Sequence, residues 1–272
     1  MMPAHYVLTL LTDFGDRDVY VGVMKGAIAH VNPQLTVIDL THHIPPQNLA
    51  AARFNLMNAY PYFPVPTVHV AVVDPGVGSQ RRAIAIQLAN GFLVGPDNGI
   101  FSGVLDHFPA IAAIELSNTD YWRTASPSAT FQGRDIFAPV GAHLASGIPL
   151  KNLGSPIDPA TLVYLPIAPA TKTSFGFQGS IQYVDHFGNS VTNISANCLQ
   201  NQPWFLRIHS QTIPSHQTYT DVEPGHSLAL IGSHNWVEIA INRGNAAAQL
   251  HLQVGDRVEI YFTTLASDAS LI

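Results

Sequence analysis

The chain has 272 residues, of which 47% are hydrophobic and only 11% charged, with a formal net charge of −6. This length supports one large or two modest domains, each with a real core. The absence of any basic run argues against a nucleic-acid surface, and a single cysteine, Cys198, excludes an intrachain disulfide and a thiolate zinc site.

Residues 6–11 read as a strand. Asp16 or Asp18 can cap a helix reaching about residue 31, with Val19, Val23, Met24, Ala27 and Ile28 apolar at helical spacing. Residues 36–40 predict a strand, 49–60 a helix and 67–73 a buried strand. A hairpin over 83–94 turns at Asn90-Gly91. A strand at 111–116 and a helix at 135–145 follow. This alternation predicts an α/β domain over 1–155 with a mainly parallel sheet. Prolines 156, 159, 166 and 169 interrupt regular structure and mark 156–173 as a linker. Beyond it, short β-like runs at 180–184, 190–194, 204–209, 227–231, 236–241 and 257–262 predict a smaller all-β barrel over 174–272.

Charged residues at 11% fall well below the usual quarter. Such a chain is expected to hide surface by self-association. No apolar run is long enough to span a bilayer, and a cytoplasmic location is expected. Adjacent His42 and His43 point to opposite faces of an extended chain, and no zinc spacing or phosphate-binding loop is present. Neither metal nor cofactor is expected.

Four clusters carry candidate chemistry. In 11–16, Asp13 stands where a strand hands over to a helix, placed either to accept ribose hydroxyls or to cap the helix. In 72–82, Asp74 ends a buried strand, and Arg81 lies seven residues on across a Pro-Gly turn. The pair is either a structural ion pair or a carboxylate held ionised against a water or substrate. In 130–135, Phe131 and Gln132 precede Arg134 and Asp135, which read either as the first turn of a surface helix or as the rim of a polar pocket. In 185–193, Asp185 and Asn189 fall in a turn that needs no function. The stretch 95–99 reads most simply as a turn.

Taken in order, the segments LTDFG, YVGVMKG, VVDPGVGSQRRAIA, LVGPDNG, ATFQGRDIFAP, YVDHFGNSVTNI, TYTDVEPG and VEIAINRGNAA resemble the S-adenosylmethionine hydroxide adenosyltransferases, relatives of the 5′-fluorinase and 5′-chlorinase. The resemblance runs through nearly the whole chain. It implies a homotrimer, an N-terminal α/β domain with a C-terminal β-barrel, and sites between one subunit's N-domain and the next subunit's C-domain. The reaction implied is attack of water or hydroxide on the ribose 5′ carbon of S-adenosyl-L-methionine, giving adenosine and L-methionine. By the same resemblance, Asp74 and Arg81 are catalytic and Asp13 holds the ribose hydroxyls. Asp185 pairs with the methionine ammonium and Asn189 reads the adenine edge. Phe131 and Tyr219 offer apolar surface to the nucleoside, and Ser233, Asn242 and Ala246 complete the contacts.

Two positions discriminate within the resemblance. The halogenases carry tyrosine where this chain has Asp74, and a carboxylate there repels a halide. Gln132 stands where the hydrolases usually carry histidine; it can orient a water but cannot exchange a proton near neutral pH. Two alternatives therefore stand beside the hydrolase: a non-catalytic S-adenosylmethionine- or adenosine-binding protein, and a 5′-halogenase.

Overall fold

The computed structural model describes residues 7–199 and 202–263. The chain divides into two compact units between Leu165 and Pro166.

The first unit runs through β1 (Val7–Thr12), α1 (Tyr20–Val31), β2 (Thr36–Thr41), α2 (Leu49–Ala59), β3 (Thr67–Val72), β4 (Ala83–Leu88), β5 (Gly91–Pro96), α3 (Ser102–Leu105), β6 (Ala112–Glu115), a π-helical turn (Gly133–Phe137), α4 (Ala138–Ala145) and β7 (Ser155–Ile157). Its seven strands form one sheet in the order β2-β1-β3-β5-β4-β6-β7. Pairings β2–β1, β1–β3 and β3–β5 are parallel. Pairings β5–β4, β4–β6 and β6–β7 are antiparallel. The sheet is thus mixed rather than mainly parallel. The cause is the turn at residues 89–90, which returns β4 directly onto β5 with Leu88 opposite Gly91. A turn that short joins only antiparallel strands, whereas parallel neighbours need a crossover.

Every residue of β3 is buried, as expected for a strand covered on both faces. Leu8, Leu10, Val68 and Val70 pack with Met24 and Ile28 of α1 and with Val140 and Leu144 of α4. Gly141 lets α4 approach closely, since a Cβ there would meet Val70 Cγ2 at 2.5 Å. Helix α1 departs from expectation at its start. Its N-cap is Val19, without a side-chain cap, and Asp16 faces His43 at 3.6 Å instead. Val19 and Val23 are 72% and 38% exposed, so only Met24, Ala27 and Ile28 of the apolar stripe reach the core.

The segment expected as a linker carries regular structure. Ser155–Ile157 adds an edge strand to β6, and Thr171–Lys172 is β8 of the second unit. Proline is tolerated at such an edge because its missing N–H faces away from the ladder. The second unit continues with β9 (Gly176–Val184), β10 (Ser190–Ser195), β11 (Trp204–Ile208), β12 (Gln211–Pro214), β13 (Ser227–Ile231), β14 (Trp236–Ile241), α5 (Ala246–Gln249) and β15 (Arg257–Phe262). The order is β12-β11-β15-β9-β10-β14-β13, with β8 beside β9. The two ends of this path meet: Ser215 bridges Ala229, and His216 N–H donates to Ala229 O at 2.9 Å. The sheet therefore curls into a nearly closed barrel around Ile181, Ile194, Leu206, Val237, Ile239, Val258 and Ile260. Among the described residues no helix is long and apolar enough to cross a membrane.

Candidate active site

Two clusters hold the residues singled out in the sequence, one on each unit. In the first unit, β1 and β3 are parallel neighbours in register, with Thr12 opposite Val72. Asp13 follows the first and Asp74 comes two residues after the second, so both acids leave the sheet at the carboxyl ends of adjacent parallel strands. Open sheets with parallel strands place ligand crevices there.

The Pro-Gly segment after Asp74 turns tightly, with Val77 N–H donating to Asp74 O at 3.2 Å. Gly78 has φ +80°, and a Cβ there would stand 2.8 Å from Ala129 O, so a side chain would push the turn away from the 129–132 segment. The turn brings Arg81 back onto Asp74. Arg81 Nε donates to Asp74 Oδ1 at 2.9 Å, and Nη2 donates to Asp74 Oδ2. Nη2 also donates to Gln132 Oε1 at 2.6 Å. The guanidinium lies 5.4 Å from the centroid of the Phe137 ring. Side chains of Asp74 and Arg81 are only 6% and 10% exposed. Because arginine can only donate, the contact fixes the orientation of Gln132: its oxygen faces Arg81 and its NH₂ is left to donate elsewhere.

Asp13 is half-buried, and its Oδ2 accepts from Gln47 N–H at 2.7 Å. Rings of Phe14, Tyr20 and Phe131 meet with centroids 5.3–5.8 Å apart, mostly edge to face. This aromatic cluster joins the Asp13 turn to the segment carrying Gln132. Phe14 and Tyr20 were not singled out in the sequence.

Arg134 and Asp135 do not lie on a surface helix. Asp135 is fully buried within the π-helical turn. It accepts from Arg134 Nε and Nη2 at 2.7 Å each, from Arg123 Nε at 2.5 Å and from Ser128 N–H at 2.9 Å. Burial alone would raise the pKa of this carboxyl, but Arg134, the Ser128 amide and Arg123 hold it well below the carboxylate range. Arg134 also lies 5.1 Å from the centroid of the Phe131 ring. The stretch 95–99 is more than a turn, since β5 runs through Gly95 and Pro96. Asp97 is buried, its Oδ2 accepting from Arg82 Nε at 2.8 Å.

In the second unit, Asp185 organises the β9–β10 turn. Its Oδ1 accepts from the backbone of Phe187 and Asn189 at 2.9 and 2.8 Å, and its Oδ2 from Asn189 Nδ2 at 3.0 Å. Gly188, at φ +85°, passes so close to Asn245 that a Cβ would strike that side chain at 2.1 Å. Gly188 O accepts from Ala247 N–H at 2.9 Å, pinning the turn to α5, where Ala246 is buried. Asn242 donates to Val222 O at 2.7 Å, and Ser233 is exposed.

Tyr219 donates to Glu238 Oε1 at 2.6 Å, while His234 Nε2 lies 3.0 Å from Glu238 Oε2. Burial, Glu238 and the nearby charge of Asp185 all push the Tyr219 pKa up, so this hydroxyl remains a donor. Glu238, the shared partner of Tyr219 and His234, has no part in the sequence reading. Its signal was present: a lone acid inside the apolar run of β14, buried to 3%.

Residues 8–154 match the SAM hydroxide adenosyltransferase N-terminal domain and residues 179–259 the C-terminal domain. A protein from Salinispora tropica named (R)-S-adenosyl-L-methionine hydrolase is 42% identical, covering 96% of this chain and 99% of that protein. Another of that name from Thermus thermophilus is 38% identical, covering 96% of this chain and 100% of that protein. A fluorinase from Actinopolyspora mzabensis is 25% identical, covering 93% of this chain and 96% of that protein. A crystal structure of an uncharacterized conserved protein from Thermotoga maritima matches with TM-score 0.89 and 34% identity, over 94% of this chain and 100% of that one. With both of its domain models matched in order along the chain, and relatives this similar end to end, the chain belongs to the SAM hydroxide adenosyltransferase family.

Proposed function

We propose that the chain hydrolyses S-adenosyl-L-methionine to adenosine and L-methionine. A C5′–O bond forms to water or hydroxide as the C5′–S bond breaks, and the proton of the attacking water passes to solvent. Methionine leaves as a neutral thioether, so the leaving group needs no general acid. The carrying observation is the joined set Asp74–Arg81–Gln132. A carboxylate can accept a hydrogen bond from the attacking water, the guanidinium favours hydroxide over water, and the Gln132 amide can donate to the same oxygen. Without a histidine in the set, proton removal falls to Asp74 or to the stabilisation of hydroxide by Arg81. No cofactor is required by this chemistry.

In this reading Asp13 takes the ribose hydroxyls through its Oδ1, and Phe131 and Tyr219 flank the nucleoside. Asp185 pairs with the methionine ammonium, and Asn189, Ser233, Asn242 and Ala246 supply the remaining contacts. The proposed assembly is a homotrimer in which the Asp13 cluster of one copy is completed by the Asp185 cluster of another. The low content of charged residues supports it, as do the exposed side chains of Val19, Tyr20 and Val23.

Incubation with S-adenosyl-L-methionine, with and without chloride, tests the function. Adenosine and methionine should form at equal rates in both. Binding without product would make the chain a binding protein, and a chloronucleoside would make it a halogenase. Asp74→Asn and Arg81→Ala should each remove most adenosine formation while changing ligand binding by no more than about 1–2 kcal/mol. Wild-type turnover in either variant would overturn the assignment.

A further inference from the structure

Behind Asp13 runs a line of side chains that the proposed chemistry does not use. Thr12 is fully buried and His42 is 8% exposed. Thr12 Oγ1 and His42 Nδ1 are 2.8 Å apart. On the far side of the ring, His42 Nε2 lies 3.0 Å from Asp39 Oδ1, a close contact without good hydrogen-bond alignment. Asp39 Oδ2 accepts from Lys25 Nζ at 2.6 Å. Burial raises the pKa of Asp39, but Lys25 and His42 together outweigh it and keep the group ionised.

Proton placement follows from the partners. A carboxylate beside Nε2 favours the proton there, which leaves Nδ1 as an acceptor. Thr12 then donates its hydroxyl proton to His42 and accepts from Phe14 N–H, 3.2 Å away. The hydroxyl is thereby aimed, and it holds the backbone one residue past Asp13. Two further bonds tie the same turn to the 42–47 segment. Gly15 N–H donates to His42 O at 2.7 Å, and Gln47 N–H donates to Asp13 Oδ2 at 2.7 Å. Gln47 takes a left-handed backbone, φ 65°, in making that contact. One carboxylate oxygen of Asp13 is thus occupied by the protein, and the turn beneath it is held from both sides.

We infer that Thr12, His42 and Asp39 are positioning residues for the ribose contact: they hold the 12–15 turn so that Asp13 Oδ1 faces the ribose hydroxyls in hydrogen-bonding geometry. This rests on the assignment of Asp13 to the ribose. Its distinguishing consequence is selective, because this line of side chains should matter to a ligand chiefly through its sugar hydroxyls.

The test is equilibrium binding of adenosine and of 2′,3′-dideoxyadenosine to the full chain and to Asp13→Ala, His42→Ala, His42→Asn and Thr12→Val. Wild type should prefer adenosine, and Asp13→Ala should abolish the preference. His42→Ala and Thr12→Val should each cut adenosine affinity on the order of tenfold, as for one well-placed hydrogen bond, and leave dideoxyadenosine within about twofold. His42→Asn, whose amide oxygen can replace Nδ1 as acceptor, should recover most of the loss. Thr12→Val keeps the shape of the buried side chain and serves if His42→Ala fails to fold. Unchanged adenosine affinity in His42→Ala and Thr12→Val, or equal loss of both nucleosides, would overturn the inference. A retained preference in Asp13→Ala would overturn the ribose assignment and the inference with it. A wild type that binds adenosine selectively but forms none would count against hydrolysis alone.

Discussion

At the scale of single residues, the proposed chemistry leaves Gln132 to orient the attacking water, since an amide can donate a hydrogen bond but cannot take the proton. Its oxygen is committed to Arg81, 2.6 Å away, and only its amide protons can reach a reacting atom. Gln132→Ala should therefore slow adenosine formation on the order of tenfold, the loss of one oriented hydrogen bond. Gln132→His should match or exceed wild type, since a well-placed histidine can accept the proton and contributes up to roughly 10²-fold. It should also bring a titration near roughly pH 6–7 into the rate profile, absent in wild type. A pH–rate profile identical to wild type would show that position 132 does not touch the attacking water. The sequence reveals this set because Asp74 and Arg81 are seven residues apart around one turn, and because Gln132 departs from a recognisable motif. The contact between Thr12 and His42 spans thirty residues and has no pattern in the sequence; only the pairing of β1 with β2 brings the two together.

At the scale of elements, the π-helical turn 133–137 is the feature that local patterning misses most clearly. A helix over 135–145 is legible from its apolar spacing, but the burial of Asp135 is not, because Arg134-Asp135 reads equally well as a solvated first turn. What buries it is the 123–128 segment, which folds back to donate from Arg123 and the Ser128 amide. Strand β12 and edge strand β7 escape notice for a related reason. Both are short and contain proline, and their strand character comes from the neighbour they pair with. Asp135 also bears on the site, since the turn it braces begins one residue after Gln132 and Arg134 packs over Phe131. Asp135→Asn keeps the shape but removes the charge facing two guanidiniums, both partly solvated. The expected cost is on the order of 2–3 kcal/mol, read as a lower urea midpoint with unchanged slope. Adenosine formation should fall with it, because Phe131 and Gln132 lose their support. Full stability in Asp135→Asn would show that the brace contributes shape alone.

At the scale of the whole molecule, the groups proposed to hold one substrate lie on two compact units, Asp13 on the first and Asp185 on the second. The proposed self-association is supported by the 11% content of charged residues and by the exposure of Val19, Tyr20 and Val23 at one helix end. In the proposed ring of three, each contact is head to tail, and each proposed site takes its Asp13 cluster from one copy and its Asp185 cluster from the next. This makes a quantitative prediction. Asp13→Ala and Asp185→Ala chains should each be inactive alone. When they are unfolded together in equal amounts and reassembled, some rings contain a junction at which an intact Asp13 cluster meets an intact Asp185 cluster. Random assembly into such rings gives about a quarter of all junctions that character, so on the order of a quarter of wild-type activity should return. If each site were instead built within a single chain, no mixture could contain an intact one, and activity would stay at the level of the separate variants. Light scattering on the same samples gives the ring size independently, and a fully active monomer would rule out the shared site.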